Sequence, residues 1–132
     1  MTLEQALLTK ILAESSITSL VPPKGIYAGI LPIQTKLPAL MFVTQTIPEK
    51  ERTIDGTSLP IAMVRFYCWS EEYSDSRNLC EAVRLVFERF SGTISGIKVL
   101  LVLAENEQDI YDDTGEGFGR SLDLIIKYVE PE

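Results

Sequence analysis

Leu3, Leu7, Leu8, Ile11 and Leu12 recur at helical intervals, with Glu4, Thr9, Lys10 and Glu14 on the opposite side. That spacing predicts an amphipathic helix over about residues 3–15. Thr2, followed three residues later by Gln5, has the form of a capping box at its start. A second helical period runs from about Ser74 to Phe90. Leu79, Val83, Val86 and Phe90 form its apolar stripe, flanked by Cys80, Ala82 and Phe87. Ser74 is the expected N-cap, Glu71, Glu72 and Asp75 suit the positive end of the dipole, and Gly92 is the expected stop.

Elsewhere the period falls to two. Ile61 to Trp69 places Ala62, Val64, Phe66 and Cys68 on one face and Ile61, Met63, Arg65, Tyr67 and Trp69 on the other. Ala39 to Gln45, Ile97 to Ala104 and Ser121 to Val129 also read as strands, and Gly25 to Ala28 as a short one. The element order predicts an α+β fold in one domain over residues 1–132. It has two layers, a mixed or antiparallel sheet of about four strands with two helices on one face. Two helices cover only one side of such a sheet, yet several strands are apolar on both. In the strand from Ile97, Leu100, Val102 and Ala104 oppose Ile97, Val99, Leu101 and Leu103. The pattern therefore predicts a protein partner on the second face. The plainer alternative is a sheet whose second face is merely mixed.

Charge sharpens this picture. The 132 residues carry 12 basic and 19 acidic side chains, a formal net charge of −7. Phosphate binding depends on neutralisation by Lys and Arg, so nucleic acid is not the expected partner. The acidity is local: Glu105, Glu107, Asp109, Asp112, Asp113 and Glu116 lie together with no base among them, and removing those six charges leaves −1. They read as a solvated loop able to steer a basic partner. A second long connection, 47–60, contains Lys50, Arg52 and an Asp55-Gly56 turn, and connections of that length commonly carry function.

Catalytic chemistry is hard to assemble from these residues. The chain has no histidine, which removes the usual nucleophile-activating base and the commonest metal ligand. Cys68 and Cys80 are its only cysteines and read as reduced core thiols, and without histidine two thiols do not close a zinc site. The glycines from Gly115 to Gly119 lack the Lys-Ser/Thr of a phosphate loop and read as hairpin flexibility. One enzymatic alternative remains, a divalent-metal site using Asp109, Asp112, Asp113 and Glu116, although the spacing is not that of an EF-hand. No apolar run approaches the roughly 20 residues needed to span a bilayer, and Met1 to Gln5 lack the features of a secretory signal, so the expectation is a cytoplasmic chain.

Several segments together carry a likeness to a known family. Ala6-Leu7-Leu8 in the first helix is followed by Gly25-Ile26-Tyr27 and then by Leu37-Pro38-Ala39-Leu40-Met41-Phe42 entering a strand. Arg65-Phe66-Tyr67-Cys68-Trp69-Ser70 precedes the second helix, and Arg120-Ser121-Leu122-Asp123 opens the last strand. In this order the chain resembles the tail-terminator, or tail-completion, proteins of long-tailed bacteriophages. The resemblance implies no enzyme activity and no cofactor. It implies a homohexameric ring that caps the tail tube and joins it to the head connector, in the host cytoplasm during assembly and at the neck end of the virion tail. The expected partners are other copies of the chain, the tail tube protein and the connector proteins, with no direct contact to nucleic acid or membrane. The expected interface residues are Arg52 and Asp55 in the long loop, Asp112 and Asp113 in the acidic one, and Arg65, Tyr67 and Ile125 on the second sheet face. Another neck or connector protein is the nearest alternative.

Overall fold

Alternation of buried and open positions along Ile61–Ser70 organises the whole molecule. A computed structural model of the chain describes residues 3–29, 37–47, 61–94, 96–111 and 117–129. The described elements are α1 (Leu3–Ala13), α2 (Ser15–Thr18), a 3₁₀ turn (Pro23–Gly25), β1 (Ile26–Ala28), β2 (Ala39–Ile47) and β3 (Ile61–Ser70). They continue with α3 (Tyr73–Phe87), β4 (Gly92–Ile94), β5 (Ile97–Tyr111) and β6 (Phe118–Val129). The strands form one sheet in the order β1-β2-β3-β6-β5-β4. β1 runs parallel to β2, and every other neighbouring pair is antiparallel.

The α+β class holds, but the expected counts are low. Six strands and three helices are described rather than about four and two. α2 and β4 are too short, at four and three residues, for a periodic signal to build up. β5 extends to Tyr111, seven residues beyond its expected end at Ala104, so Glu105, Glu107 and Asp109 lie in a strand rather than a solvated loop. Their polarity hid the strand, because the apolar alternation stops where the ladder with β6 continues. The expected capping Thr2 lies outside the described residues.

The helices cover a single face of the sheet. Leu3, Ala6, Leu7 and Ile11 of α1 meet Leu79, Val83 and Phe87 of α3 over the inward side chains of β2, β3, β5 and β6, in one continuous core. Ala62, Val64, Phe66 and Cys68 of β3 and Leu122, Leu124 and Ile126 of β6 are fully buried there. Phe66 lies between two other rings, with centroids 5.4 Å from Phe42 and 5.6 Å from Phe87. Buried aromatics in such offset contact dominate core energetics.

α3 differs at both ends from the sequence expectation. Its N-cap is Glu72, with extended backbone and no side-chain cap, and Ser76 donates from Oγ to the Tyr73 carbonyl at 2.8 Å. The helix ends at Phe87 because Glu88 leaves helical backbone (φ −59°, ψ 127°), and a turn closed by the Phe90 N–H on the Phe87 carbonyl puts Arg89 at φ 60°, so the left-handed residue is Arg89 rather than Gly92. The Arg89 N–H then donates to the Val102 carbonyl of β5 at 2.8 Å, which fastens the helix exit to the sheet. Val86 and Phe90 are consequently only partly buried, and Lys10 Nζ lies 4.3 Å from the Phe90 ring centroid.

Candidate interaction surface

Among the described residues no helix covers the second face. It presents Met41, Val43 and Gln45 of β2, Met63, Arg65, Tyr67 and Trp69 of β3, and Ser121, Asp123, Ile125 and Lys127 of β6. Leu101 and Leu103 of β5 complete it. Val43, Leu101, Leu103 and Val129 are exposed, Leu103 at 47%. Exposed leucine and valine on one sheet face amount to unspent apolar area at about 25 cal/mol per Å². Contiguous patches of this kind mark interaction sites.

Three of the expected interface residues lie together on this face. Arg65 stands opposite Asp123, Tyr67 opposite Ser121, and Ile125 opposite Met63. Arg65 and Asp123 form a two-pronged ion pair, with Nε donating to Oδ1 at 2.7 Å and Nη2 to Oδ2 at 3.2 Å. The Asp123 side chain is only 8% exposed while Arg65 is 47% exposed. The guanidinium therefore roofs a sunken carboxylate, and its own pKa is raised by the bonds to Asp123 and then Tyr67. Asp123 was missed as a site residue. Its place in the alternation of β6 was readable, but its partner depends on β3 lying next to β6, which no local pattern states. Arg52, Asp55, Asp112 and Asp113 lie outside the described residues.

Trp69 fixes one end of the face. It packs over Gly119, where an added Cβ would come within 2.6 Å of indole Cζ3. At Gly117 the same addition would meet Leu37 Cδ1 at 2.8 Å. Close approach of the Trp69 ring, rather than the hairpin flexibility expected from the sequence, accounts for glycine at position 119, whereas at 117 the Leu37 methyl group is free to turn aside.

The other polar grouping lies beneath α3, at the far end of the helix-covered face. Arg120 donates from Nη1 to Asp109 Oδ1 at 2.6 Å and from Nη2 to Glu107 Oε2 at 2.9 Å. Tyr73 donates from its hydroxyl to Asp109 Oδ2 at 2.8 Å, and its ring meets Phe118 edge-on. Arg84 pairs with Glu81 and Glu88 and comes within 3.3 Å of Glu107 Oε1. That oxygen is buried without a hydrogen bond, so its contact with Arg84 is ionic only. The Tyr73 hydrogen bond, followed by Arg120, holds the Asp109 carboxyl below its usual range. These carboxylates are occupied with arginines. Among the described residues, no group of three or more His, Cys, Asp or Glu is placed to hold a metal ion. Of the four carboxylates in the metal-site alternative, Asp112, Asp113 and Glu116 lie outside the described residues.

Cys68 and Cys80 are both free and buried, as expected for core thiols. Burial and the neighbouring Cys80 push the Cys68 thiol well above its ordinary value, which suits packing rather than nucleophilic attack. Open hollows on the described surface are lined largely by polar side chains. One of about 440 Å³ lies by Tyr73, Arg77, Glu107 and Arg120, one of about 280 Å³ by Ser70, Glu71, Glu72 and Asp75, and one of about 130 Å³ by Val43, Gln45, Met63 and Arg65. Among the described residues no helix is long and apolar enough to cross a membrane.

The molecule is thus a sheet backed by helices on one side, with an open, partly apolar face on the other. No family model matches the sequence, and no curated protein matches it. Among solved structures, the chain is similar to one in the structure described as "Virion of native gene transfer agent (GTA) particle". The TM-score is 0.79 at 9% identity, over 96% of this chain and 93% of that one. At such low identity the likeness establishes a shared fold.

Proposed function

We propose that the chain is a virion assembly protein, a ring-forming tail terminator that caps the tail tube and provides the joint to the head connector. The observation that carries this reading is the uncovered sheet face, on which exposed Val43, Leu101 and Leu103 flank the Arg65–Asp123 pair. A sheet sealed on one side only is half of an interface. Two further points support it: the fold is shared with a chain of a virion, and the segment order resembles that of the tail terminators. In this reading the chain is not an enzyme and needs no cofactor. Arg65, Tyr67 and Ile125 pack between subunits of a homohexamer, while the loops carrying Arg52, Asp55, Asp112 and Asp113 reach the tube or the connector.

Two measurements test the proposal. Native mass spectrometry of the purified chain is expected to show a closed oligomer, and a monomer at every concentration would count against it. Electron microscopy of particles assembled without the chain distinguishes the two neck roles. Overlong tails are expected for a missing terminator, whereas normal tails left unattached would indicate a connector instead.

A further inference from the structure

β2 and β5, the long strands next to the short outer ones, are each only partly covered on their outer edge, and at opposite ends. β1 pairs with β2 through Leu40, Met41 and Phe42, so among the described residues 43–47 have no strand on their outer edge. On the far side β4 pairs with β5 through Ile97, Lys98 and Val99, and the Arg89 N–H takes the Val102 carbonyl. Beyond that point, among the described residues, 103–111 have no strand on their outer edge. The registers show which end of the sheet each open stretch occupies. Ile47, Ile61, Lys127 and Leu101 stand in line at one end, and Ala39, Trp69, Gly119 and Ile110 stand in line at the other. The open part of β2 is therefore at the first end and the open part of β5 at the second.

We propose that copies of this chain join edge to edge, with 43–47 of β2 in one copy adding antiparallel to 106–110 of β5 in the next. The proposal rests on the ring reading and adds an edge joint to the packing of the uncovered face. Four observations lead to it. First, the directions fit: three successive antiparallel steps from β2 through β3 and β6 to β5 make β2 and β5 antiparallel, so a neighbour's β2 continues the sheet in the same sense. Second, the covered ends fit. A shift of about four residues, roughly 13 Å along the strands, brings the neighbour's β1 level with the end of β5 at Tyr111 and leaves β4 clear of its β2. Third, the faces fit. Reverse pairing of 43–47 with 106–110 sets Val43 against Ile110 and Gln45 against Gln108, all on the uncovered face. It stops at the bulge between Ala104 and Asn106, where the ladder of β5 is already irregular.

Fourth, charge excludes one simpler arrangement. Two β5 edges paired about a twofold axis centred on Gln108 would set Glu107 directly against Asp109 of the other copy, twice, and like charges in that position repel. The β2 segment, Ala39–Ile47, has no charged residue of its own, although Thr44 holds the Glu4 carboxylate, and the acids it would face, Glu107 and Asp109, are already paired with Arg120. A joint that uses a different edge on each partner is heterologous, so it propagates until it closes into a ring. It also resolves a liability of the isolated chain, since long unpaired edges invite uncontrolled pairing.

The test uses Gln45→Cys and Gln108→Cys, singly and together, treated with a short bis-maleimide under native conditions and run on a denaturing gel. The double variant is expected to give a ladder of joined oligomers ending at the ring size, with both single variants remaining monomeric on the gel. As a second readout, Val43→Asp puts a carboxylate against Ile110 of the neighbouring copy, where closing the joint would desolvate it. It is expected to raise the concentration needed for assembly roughly tenfold or more, with no change in thermal unfolding of the monomer. Covalent dimers from Gln45→Cys alone would overturn the proposal in favour of a β2–β2 twofold. Absence of a ladder in the double variant, while native mass spectrometry still shows a closed ring, would overturn the joint and leave the ring standing. A chain that stays monomeric throughout would overturn both.

Discussion

The two faces of the sheet are made from the same strands and differ in what completes them. On the helix-covered side, Ala62, Val64, Phe66 and Cys68 of β3 are sealed by α1 and α3. Their neighbours one residue along, Met63, Arg65, Tyr67 and Trp69, have no such cover. The covered face is apolar and finished within the chain, apart from the arginine–carboxylate grouping at its far end. The uncovered face mixes exposed aliphatics with a sunken ion pair, the composition of an interface rather than a core. The lesson is that one strand can serve stability with its even-numbered residues and association with its odd-numbered ones. Substitutions on the two faces should therefore separate unfolding from assembly.

The largest effect is expected at Phe66, which is fully buried between Phe42 and Phe87. Phe66→Ala should cost about 3–5 kcal/mol in urea unfolding, from lost transfer free energy plus an unfilled cavity. A cost below about 1 kcal/mol would mean that the covered face is not the core. Next in size is Gly119→Ala, whose new methyl group meets the Trp69 ring. A loss of about 1–3 kcal/mol is expected from overpacking, and adding Trp69→Ala should restore most of it. Without that rescue, the glycine would be serving some purpose other than room for the indole.

The comparison is sharpened by the Arg65–Asp123 pair, the strongest polar contact on the uncovered face. Arg65→Ala leaves the Asp123 carboxylate nearly buried without its guanidinium, at an expected cost of about 1–2 kcal/mol. The figure belongs near the low end because Arg65 is half exposed and solvent screens the pair. Asp123→Ala on top of Arg65→Ala should cost little more, since the two act as a unit, and a double-mutant cycle measures this. Full additivity would show that the pair contributes no coupling.

Much of this division was legible in the alternation of β3, which named both faces residue by residue, and in the shortage of helices to cover them. Legibility failed wherever the cause was not local. The Arg120, Glu107 and Asp109 grouping was hidden because acidic residues after Ala104 read as a loop. Only the ladder with β6 reveals them as strand residues facing an arginine. Asp123 was unremarkable until β6 lay beside β3 and brought Arg65 opposite. Arg89 replaced Gly92 as the left-handed residue because α3 ends in a turn from Phe87 to Phe90, with the Arg89 N–H bonded to Val102, a tertiary rather than a helical partner. β1 and β4 are three residues each, below the length at which any period exists, yet they decide which halves of the sheet edges stay open.

The smallest expected change in stability is the most informative about function. Leu103 is a β5 residue, 47% exposed on the uncovered face, and its neighbours there, Leu101 and Ile125, are themselves partly open. Leu103→Ser trims a side chain that the monomer leaves about half exposed, so unfolding should shift by less than about 1 kcal/mol. In an assembly that covers this face the same leucine is desolvated, and truncating a buried aliphatic contact at an interface commonly costs more than 1 kcal/mol per site. A ring multiplies that loss by the number of its joints. Sedimentation at a series of concentrations should therefore show Leu103→Ser assembling poorly while its unfolding curve stays close to that of the parent chain. If unfolding and assembly weakened together, Leu103 would belong to the core, and the separation between the two faces would fail at the edge strand where it matters most.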